Sequence, residues 1–110
     1  MKIYKTDSFT ELKFENISLA EIVKTISNRA SEFNNQNLVI NLSEKINIKI
    51  EDFSLFLNLN KIRKQQGTSF VLVCKGIEID DISEEINVVP SLEEAYDIIE
   101  MEAIERDLGF

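Results

Sequence analysis

Two short, almost entirely apolar segments, separated by one amphipathic helix and a glycine, constrain this chain more than any other feature. They are residues 38–42, Leu-Val-Ile-Asn-Leu, and residues 70–74, Phe-Val-Leu-Val-Cys. Such short apolar runs are typical of strands that are buried on both faces of a sheet. Gly67, between them, suits the left-handed residue that ends a helix. Two buried strands joined through a helix indicate parallel strands connected by a right-handed crossover.

The flanking segments extend this unit into an α/β pattern. Residues 2–5 and 11–15 are expected to form an antiparallel hairpin at the sheet edge, with Ile3, Leu12 and Phe14 facing the core. A short strand is expected at residues 46–50, and another at 87–89, where Pro90 ends it. Residues 75–86 form an irregular acidic segment.

Capping boxes mark the start of the first and last helices. Ser18 with Glu21, and Ser91 with Glu94, have the spacing at which a serine hydroxyl accepts a bond from the third residue of a helix. Apolar residues then recur at helical spacing on one side of each helix. The inner stripe of the first is Leu19, Ile22, Val23, Ile26, Ala30 and Phe33, and that of the last is Leu92, Ala95, Tyr96, Ile99 and Ala103.

The middle helix follows an acidic pair, Glu51 and Asp52, either of which can cap its N-terminus. One stripe of this helix contains Phe53, Phe56, Leu57 and Asn60, and Leu55, Leu59 and Ile62 lie beside it. The width of the apolar surface indicates a helix that is buried over much of its circumference or that leaves one face for a partner. Basic residues in its last turns complement the negative helix end: Lys61, Arg63 and Lys64.

Composition limits the classes of partner. The 110 residues match the usual size of one domain, so residues 1–110 are expected to form one. The net charge is −8, and residues 77–110 contain 12 acidic residues and one basic residue. Such a surface repels phosphate backbones, which argues against nucleic-acid binding. No apolar run reaches the ~18 residues of a membrane span, and the lone cysteine, Cys74, indicates a cytoplasmic protein.

The residue inventory argues against an enzyme and against a cofactor. The sequence contains no histidine and one cysteine, which removes histidine-based catalysis, Cys–His dyads and zinc sites. Its three glycines form no phosphate-binding loop. The acidic pairs at 80–81 and 84–85 lack the spacing and the glycine of a calcium loop. Glu51 and Asp52 are adjacent carboxylates, but capping the helix explains them without a catalytic role.

The order and spacing of these elements resemble the STAS domain, a family that includes bacterial anti-sigma factor antagonists and the cytoplasmic domains of sulphate transporters. The resemblance covers nearly the whole chain. Three motifs carry it: Leu-Val-Ile-Asn-Leu-Ser at 38–43, Lys-Gln-Gln-Gly at 64–67, and Ser-Leu-Glu-Glu-Ala at 91–95. It implies an α/β fold of the STAS type, with a mixed sheet of four or five strands and helices mainly on one face.

The antagonist branch of this family begins the middle helix with Asp-Ser-Ser/Thr-Gly, whose second hydroxyl is phosphorylated by a partner kinase. Counting back from Gly67 places this motif at 49–52, and counting forward from Leu38 shifts it by one residue, so Glu51 or Asp52 occupies the phosphorylatable position. A carboxylate carries about one negative charge where phosphate carries nearly two. We therefore expect this acid to imitate the phosphorylated form in part and permanently.

The resemblance implies a non-enzymatic regulatory module that binds another protein, an anti-sigma factor related to serine-kinase-like ATPases. The implied binding surface consists of Glu51, Asp52, Ser54, Leu55 and Asn58. Two alternatives stay open: a phosphorylation-switched antagonist that uses Ser54, and a domain that binds a small ligand or nucleotide. Four apolar residues lie off the inner stripe of the last helix or beyond it, which allows a homodimer: Met101, Ile104, Leu108 and Phe110.

Overall fold

The centre of the protein is a five-stranded mixed sheet in the order β1-β2-β3-β4-β5. The computed structural model describes residues 1–15, 17–42, 50–75 and 85–109. β1 runs antiparallel to β2, and the remaining neighbours are parallel. The predicted α/β fold with a mixed sheet is confirmed. The strands are β1 (Lys2–Lys5), β2 (Thr10–Lys13), β3 (Leu38–Asn41), β4 (Phe70–Val73) and β5 (Asn87–Val89).

Within the described ranges, three α-helices and two 3-10 helices accompany these strands. They are α1 (Leu19–Asn28), the first 3-10 helix (Ala30–Phe33), the second 3-10 helix (Ile50–Phe56), α2 (Leu57–Gln65) and α3 (Leu92–Asp107). In both predicted capping boxes, the hydrogen bond to the serine hydroxyl is confirmed. The backbone N–H of Glu21 donates to Ser18 Oγ, and that of Glu94 donates to Ser91 Oγ. Gly67 follows α2 with φ +77°, as predicted for a left-handed helix stop.

The strand register divides the core into two layers. Leu12, Ile40, Leu72 and Val88 stand side by side across the sheet. Because side chains alternate along a strand, these residues face one side, where they pack with α1, the second 3-10 helix and α2. Val39 and Val71, one position earlier, face the other side and pack with α3. Among the described helices, α1 and α2 therefore cover one face, and α3 covers the other.

Three residues predicted to face the core are exposed: Ile3, Leu92 and Tyr96. Ile3 is 39% exposed, because β1 is the outermost strand and borders only β2. In α3, Ala95 and Ile99 are buried as predicted, but Leu92 and Tyr96 are exposed. Glu102 lies on the inner side of α3 instead. Its carboxylate accepts a hydrogen bond from Asn87 Nδ2 at 3.0 Å.

The predicted strand at 46–50 and the acidic segment at 75–86 fall mostly outside the described residues. Within the predicted strand, Ile50 belongs to the second 3-10 helix. Within the acidic segment, the structure describes Lys75, Glu85 and Ile86. Among the residues that the structure describes, no helix has both the length and the apolar character that crossing a membrane requires.

Candidate partner-binding site

The second 3-10 helix presents the predicted site residues because its three-residue period separates anchors from exposed positions. Phe53 and Phe56, three residues apart, are fully buried, and the ring centroid of Phe56 lies 6.2 Å from that of Phe70 on β4. Glu51 and Ser54 form a neighbouring row and are exposed. The two phenylalanines therefore hold this helix against the core while the row of Glu51 and Ser54 faces solvent.

The interpretation of Glu51 or Asp52 as the cap of the following α-helix is wrong. Both acids lie in the first turn of the 3-10 helix, and α2 begins only at Leu57. Phe56 occupies the N-cap position of α2 and makes no side-chain capping bond. Glu51 is exposed and Asp52 is half-buried. Capping of α2 therefore does not explain the position of these two carboxylates.

The remaining predicted site residues continue the exposed side of this segment. Leu55 in the 3-10 helix and Asn58 in α2 are both exposed. Ile62, four residues after Asn58, is exposed as well, whereas Leu59 is buried. Residues three and four apart share one side of a helix, so Leu55, Asn58 and Ile62 form one strip. The structure thus adds Ile62 to the predicted surface.

Ser54 is accessible, but its hydroxyl is already engaged. Ser54 Oγ donates a hydrogen bond of 2.8 Å to the backbone carbonyl oxygen of Glu51. A phosphoryl group on this oxygen would remove that donor and would add nearly two negative charges one turn from the Glu51 carboxylate. The local geometry therefore permits modification of Ser54 at the cost of a local hydrogen bond and of charge repulsion.

Arg63, predicted with Lys61 and Lys64 to complement the negative helix end, lies in the last turn of α2 and is buried. Its side chain is only 3% exposed, and Arg63 Nη1 donates a 2.7 Å hydrogen bond to the carbonyl oxygen of Phe33. Burial lowers the pKa of the Arg63 guanidinium. Asn60, also buried, donates from Nδ2 to the carbonyl oxygen of Glu85. These two bonds join α2 to the first 3-10 helix and to the segment that precedes β5.

A small-ligand site has less support from the described residues. An open cavity of about 280 Å³ lies at the carboxyl ends of β3, β4 and β5, the usual place for ligands in parallel sheets. Two of its polar side chains have partners within the protein: Asn41 Nδ2 donates to Glu11 Oε2 at 2.7 Å, and Ser91 caps α3. Among the described residues of this lining, the exposed cation is Lys75.

Several residues singled out in the sequence cannot be placed at the site. Asp80, Asp81 and Glu84 of the acidic pairs, and Phe110 of the apolar set in the last helix, lie outside the described residues. Within the described ranges, no group of three or more histidine, cysteine, aspartate or glutamate residues has the arrangement of a metal site.

Comparison with known proteins identifies the class of fold. No protein-family model matches the chain, and no curated protein matches it. Two of the solved structures that resemble it do so over almost its full length. One is RsbS from Moorella thermoacetica, in a form with glutamate in place of one serine; the TM-score is 0.67 at 15% identity, and the match covers 93% of this chain and 96% of that chain.

The second structure is a chain from the stressosome, described as a signal integration and transduction hub. The TM-score is 0.61 at 16% identity, and the match covers 93% of this chain and 98% of that chain. At such identities the likeness establishes the fold. The chain has the fold of the STAS-domain proteins, and the resemblance stated from the sequence is confirmed at this level.

Proposed function

We propose that this protein is a non-enzymatic STAS regulatory module that acts in the cytoplasm by binding another protein. The proposal extends the fold likeness to RsbS and to a stressosome chain to a role in signal transduction. The proposed binding surface consists of Glu51, Asp52, Ser54, Leu55 and Asn58. The observation that carries it is the exposed row of this helix, held in place by the buried Phe53 and Phe56.

The proposed surface combines charge with apolar area. Glu51 and Asp52 give the start of the helical segment two carboxylates, and Leu55 adds an exposed apolar side chain one turn further on. Complementary charge governs the choice of partner and the association rate, and buried apolar anchors supply most of the affinity. A partner that matches both would carry a basic patch beside an apolar pocket. The partner class we propose is an anti-sigma factor of the serine-kinase-like ATPase type.

We further propose that Glu51 or Asp52 replaces the phosphorylatable hydroxyl of the antagonist family. A constitutive carboxylate at the helix start would keep the module permanently in a state close to the phosphorylated one. The neighbour RsbS was solved with a glutamate in place of a serine, which makes the same kind of substitution chemically reasonable within this fold. The module would then bind its partner without a phosphorylation switch.

A charge-reversal experiment tests the surface. Wild-type protein immobilised on beads is expected to retain the ATPase from an extract of the source cells, and the variant Glu51→Lys/Asp52→Lys is expected to lose it. The matched control is Glu93→Lys/Glu94→Lys, which makes the same change of charge at an exposed acidic pair in the first turn of α3. Equal loss with both variants would mean general attraction to acidic surface, and the proposed site would be abandoned.

The second candidate function is a module switched by phosphorylation of Ser54, which the exposure of this residue favours. The captured kinase, incubated with ATP and the module, distinguishes the two candidates by mass spectrometry. Absence of phosphate on Ser54 supports the constitutive acid. Stoichiometric phosphate that disappears in Ser54→Ala supports the switch, because no other hydroxyl lies in that row of the described helix.

A further inference from the structure

The last turns of α3 display the most exposed large hydrophobic side chains among the residues that the structure describes. Met101 is 51% exposed, Ile104 is 60% exposed and Leu108 is 66% exposed. No other large hydrophobic residue within the described ranges reaches 50%. Single exposed apolar residues are ordinary on a protein surface, but a contiguous set indicates an interaction surface.

These three residues form one ridge because they are spaced by three and four positions along α3 and its C-cap, Leu108, which keeps helical backbone angles. That spacing is the a-d-a pattern of a coiled-coil seam, which presents side chains to a facing helix. The opposite side of α3 is used by the protein itself, through the buried residues Ala95 and Ile99. The ridge of Met101, Ile104 and Leu108, called here the α3 ridge, therefore points away from the sheet.

The charge around the α3 ridge is strongly negative. α3 contains seven acidic residues and one basic residue. The basic residue, Arg106, lies on the inner side, where Nη1 is 3.4 Å from its hydrogen-bond acceptor Ser69 Oγ on the body of the protein. Exposed carboxylates flank the ridge: Asp97, Glu100, Glu105 and Asp107. A second copy of this helix would bring like charges together, whereas a basic helix would complement them.

A groove beside the α3 ridge increases the area that a partner can cover. An open cavity of about 450 Å³ separates α3 from the turn between β1 and β2. Its apolar lining comes from Ile99, Ala103 and Ile104, and its carboxylates are Asp7 and Glu100. An apolar side chain can enter this groove while a neighbouring lysine or arginine pairs with either carboxylate. The apolar residues and the carboxylates that line this groove together match one face of an amphipathic basic helix.

We propose that the α3 ridge docks a basic amphipathic helix of a partner protein. The surface lies on the opposite side of the sheet from the proposed Glu51 site, because α3 packs in one core layer and the second 3-10 helix packs in the other. Two different proteins can therefore bind at the same time. The module would link a partner at Glu51 to a second partner at α3, a role that goes beyond the single interaction proposed above.

A designed peptide tests this surface without a known partner. The probe is a fluorescent peptide of about 18 residues, five helical turns, with leucine at heptad positions a and d and lysine or glutamine elsewhere. The control peptide has the same composition in an order that removes the apolar stripe. Fluorescence anisotropy with the full chain is expected to show binding of the amphipathic peptide at least about ten-fold tighter than that of the scrambled peptide. Equal affinities would overturn the proposal, since charge alone would then explain binding.

Matched substitutions locate the contact. Ile104→Ser and Leu108→Ser are each expected to weaken the amphipathic peptide by about ten-fold or more. The controls Leu55→Ser and Ile62→Ser remove exposed apolar side chains from the other face of the protein and are expected to leave the affinity unchanged. If the controls weaken binding and the α3 variants do not, the peptide occupies the other surface and the proposal is wrong.

Sedimentation velocity provides the remaining arm of the test. The wild-type chain alone is expected to sediment as a monomer, because acidic residues flank the ridge on both sides. A dimer that Ile104→Ser dissociates would show that a second copy occupies the α3 ridge, which would overturn the assignment to a basic helix. All four exposed positions can be changed without filling or emptying the core, and circular dichroism verifies that each variant is folded.

Discussion

Arg63 Nη1 donates a 2.7 Å hydrogen bond to the carbonyl oxygen of Phe33, the last residue of the first 3-10 helix. The bond joins α2 to a segment 30 positions earlier in the chain. It places a guanidinium that is 3% exposed at the carbonyl end of a helix, where partial negative charge accumulates. Because this bond gives the desolvated guanidinium an acceptor in the interior, it positions α2, the helix that carries Asn58 of the proposed binding surface.

Replacement of Arg63 is expected to destabilise the protein although Arg63 is a charged residue near a helix end. Arg63→Ala removes a charged donor from the Phe33 carbonyl oxygen, which keeps the 3.2 Å bond from the Gln36 backbone N–H, and we expect the free energy of unfolding to fall by about 2 kcal/mol. Urea unfolding measures this change. Lys61→Ala and Lys64→Ala are the controls, since both lysines are exposed in the same turns, and each is expected to change stability by less than about 0.5 kcal/mol. Similar losses of stability in all three variants would mean that the attraction between a positive charge and the helix end explains the effect of Arg63→Ala.

Phe53 and Leu55 are expected to separate folding from binding. Phe53→Ala opens a cavity beneath the second 3-10 helix and is expected to lower the free energy of unfolding by about 3–5 kcal/mol. Leu55→Ala removes an exposed side chain and is expected to change it by less than about 0.5 kcal/mol. Leu55→Ala is nevertheless expected to weaken capture of the proposed partner. Urea unfolding measures the stability of each variant, and the capture experiment on the same preparations measures its binding. A large loss of stability in Leu55→Ala would contradict the exposure of this side chain.

Gly67 is expected to be required because its backbone is in the left-handed conformation, and not because a side chain there would collide with neighbouring atoms. A Cβ atom added at Gly67 would meet no atom within 4 Å, but the residue has φ +77°. An alanine in that conformation costs about 1 kcal/mol, so thermal unfolding of Gly67→Ala is expected to show a lower midpoint. Gly67→Asn is the control, because asparagine tolerates the left-handed conformation better. Equal effects of the two variants would point to a cause other than backbone strain.

Cys74 is expected to make the stability depend on pH above neutrality. Burial raises the pKa of the Cys74 thiol above its ordinary value of 9.0. The folded protein then holds the thiol proton more tightly than the unfolded chain does. The resulting stabilisation is fully present below pH 9.0 and is lost as the pH rises through the folded pKa, at about 1.4 kcal/mol per unit of pKa difference.

The variant Cys74→Ala isolates this effect, because the other titrating groups contribute equally to both proteins. Urea unfolding of each protein at neutral and alkaline pH gives the difference in their stabilities. We expect the advantage of the wild type over Cys74→Ala to shrink as the pH rises. A difference that is constant with pH would contradict a raised thiol pKa in the folded state.

Elements with local signals were predicted well, and those that depend on distant contacts were not. The serines at the starts of α1 and α3 satisfy backbone donors of their own first turn, so residues 18–21 and 91–94 contain the whole interaction. The second 3-10 helix was missed, since apolar residues at 53 and 56 fit both a three-residue and a 3.6-residue period over so short a stretch.

The candidate site shows the same division. The residue types at 51–58 were sufficient to mark an acidic, partly apolar helix start, but not to divide it into anchors and exposed positions. Leu55, Leu59 and Ile62 are all large aliphatic residues, yet of these three only Leu59 is buried. Its burial depends on how α2 packs against the rest of the core, and that packing is not encoded in residues 50–65 alone.

The sequence by itself determined the segments that form β1 to β5, the two capped helices, the glycine stop and the acidic character of the last third, because each follows from neighbouring residues and from composition. Only the tertiary structure decided that Arg63 is buried, that Ile3 and Leu92 are exposed, and that Met101, Ile104 and Leu108 share an outer ridge. The physical reason is that exposure is a property of the whole packing arrangement: a side chain is buried only where another element, often distant in sequence, covers it.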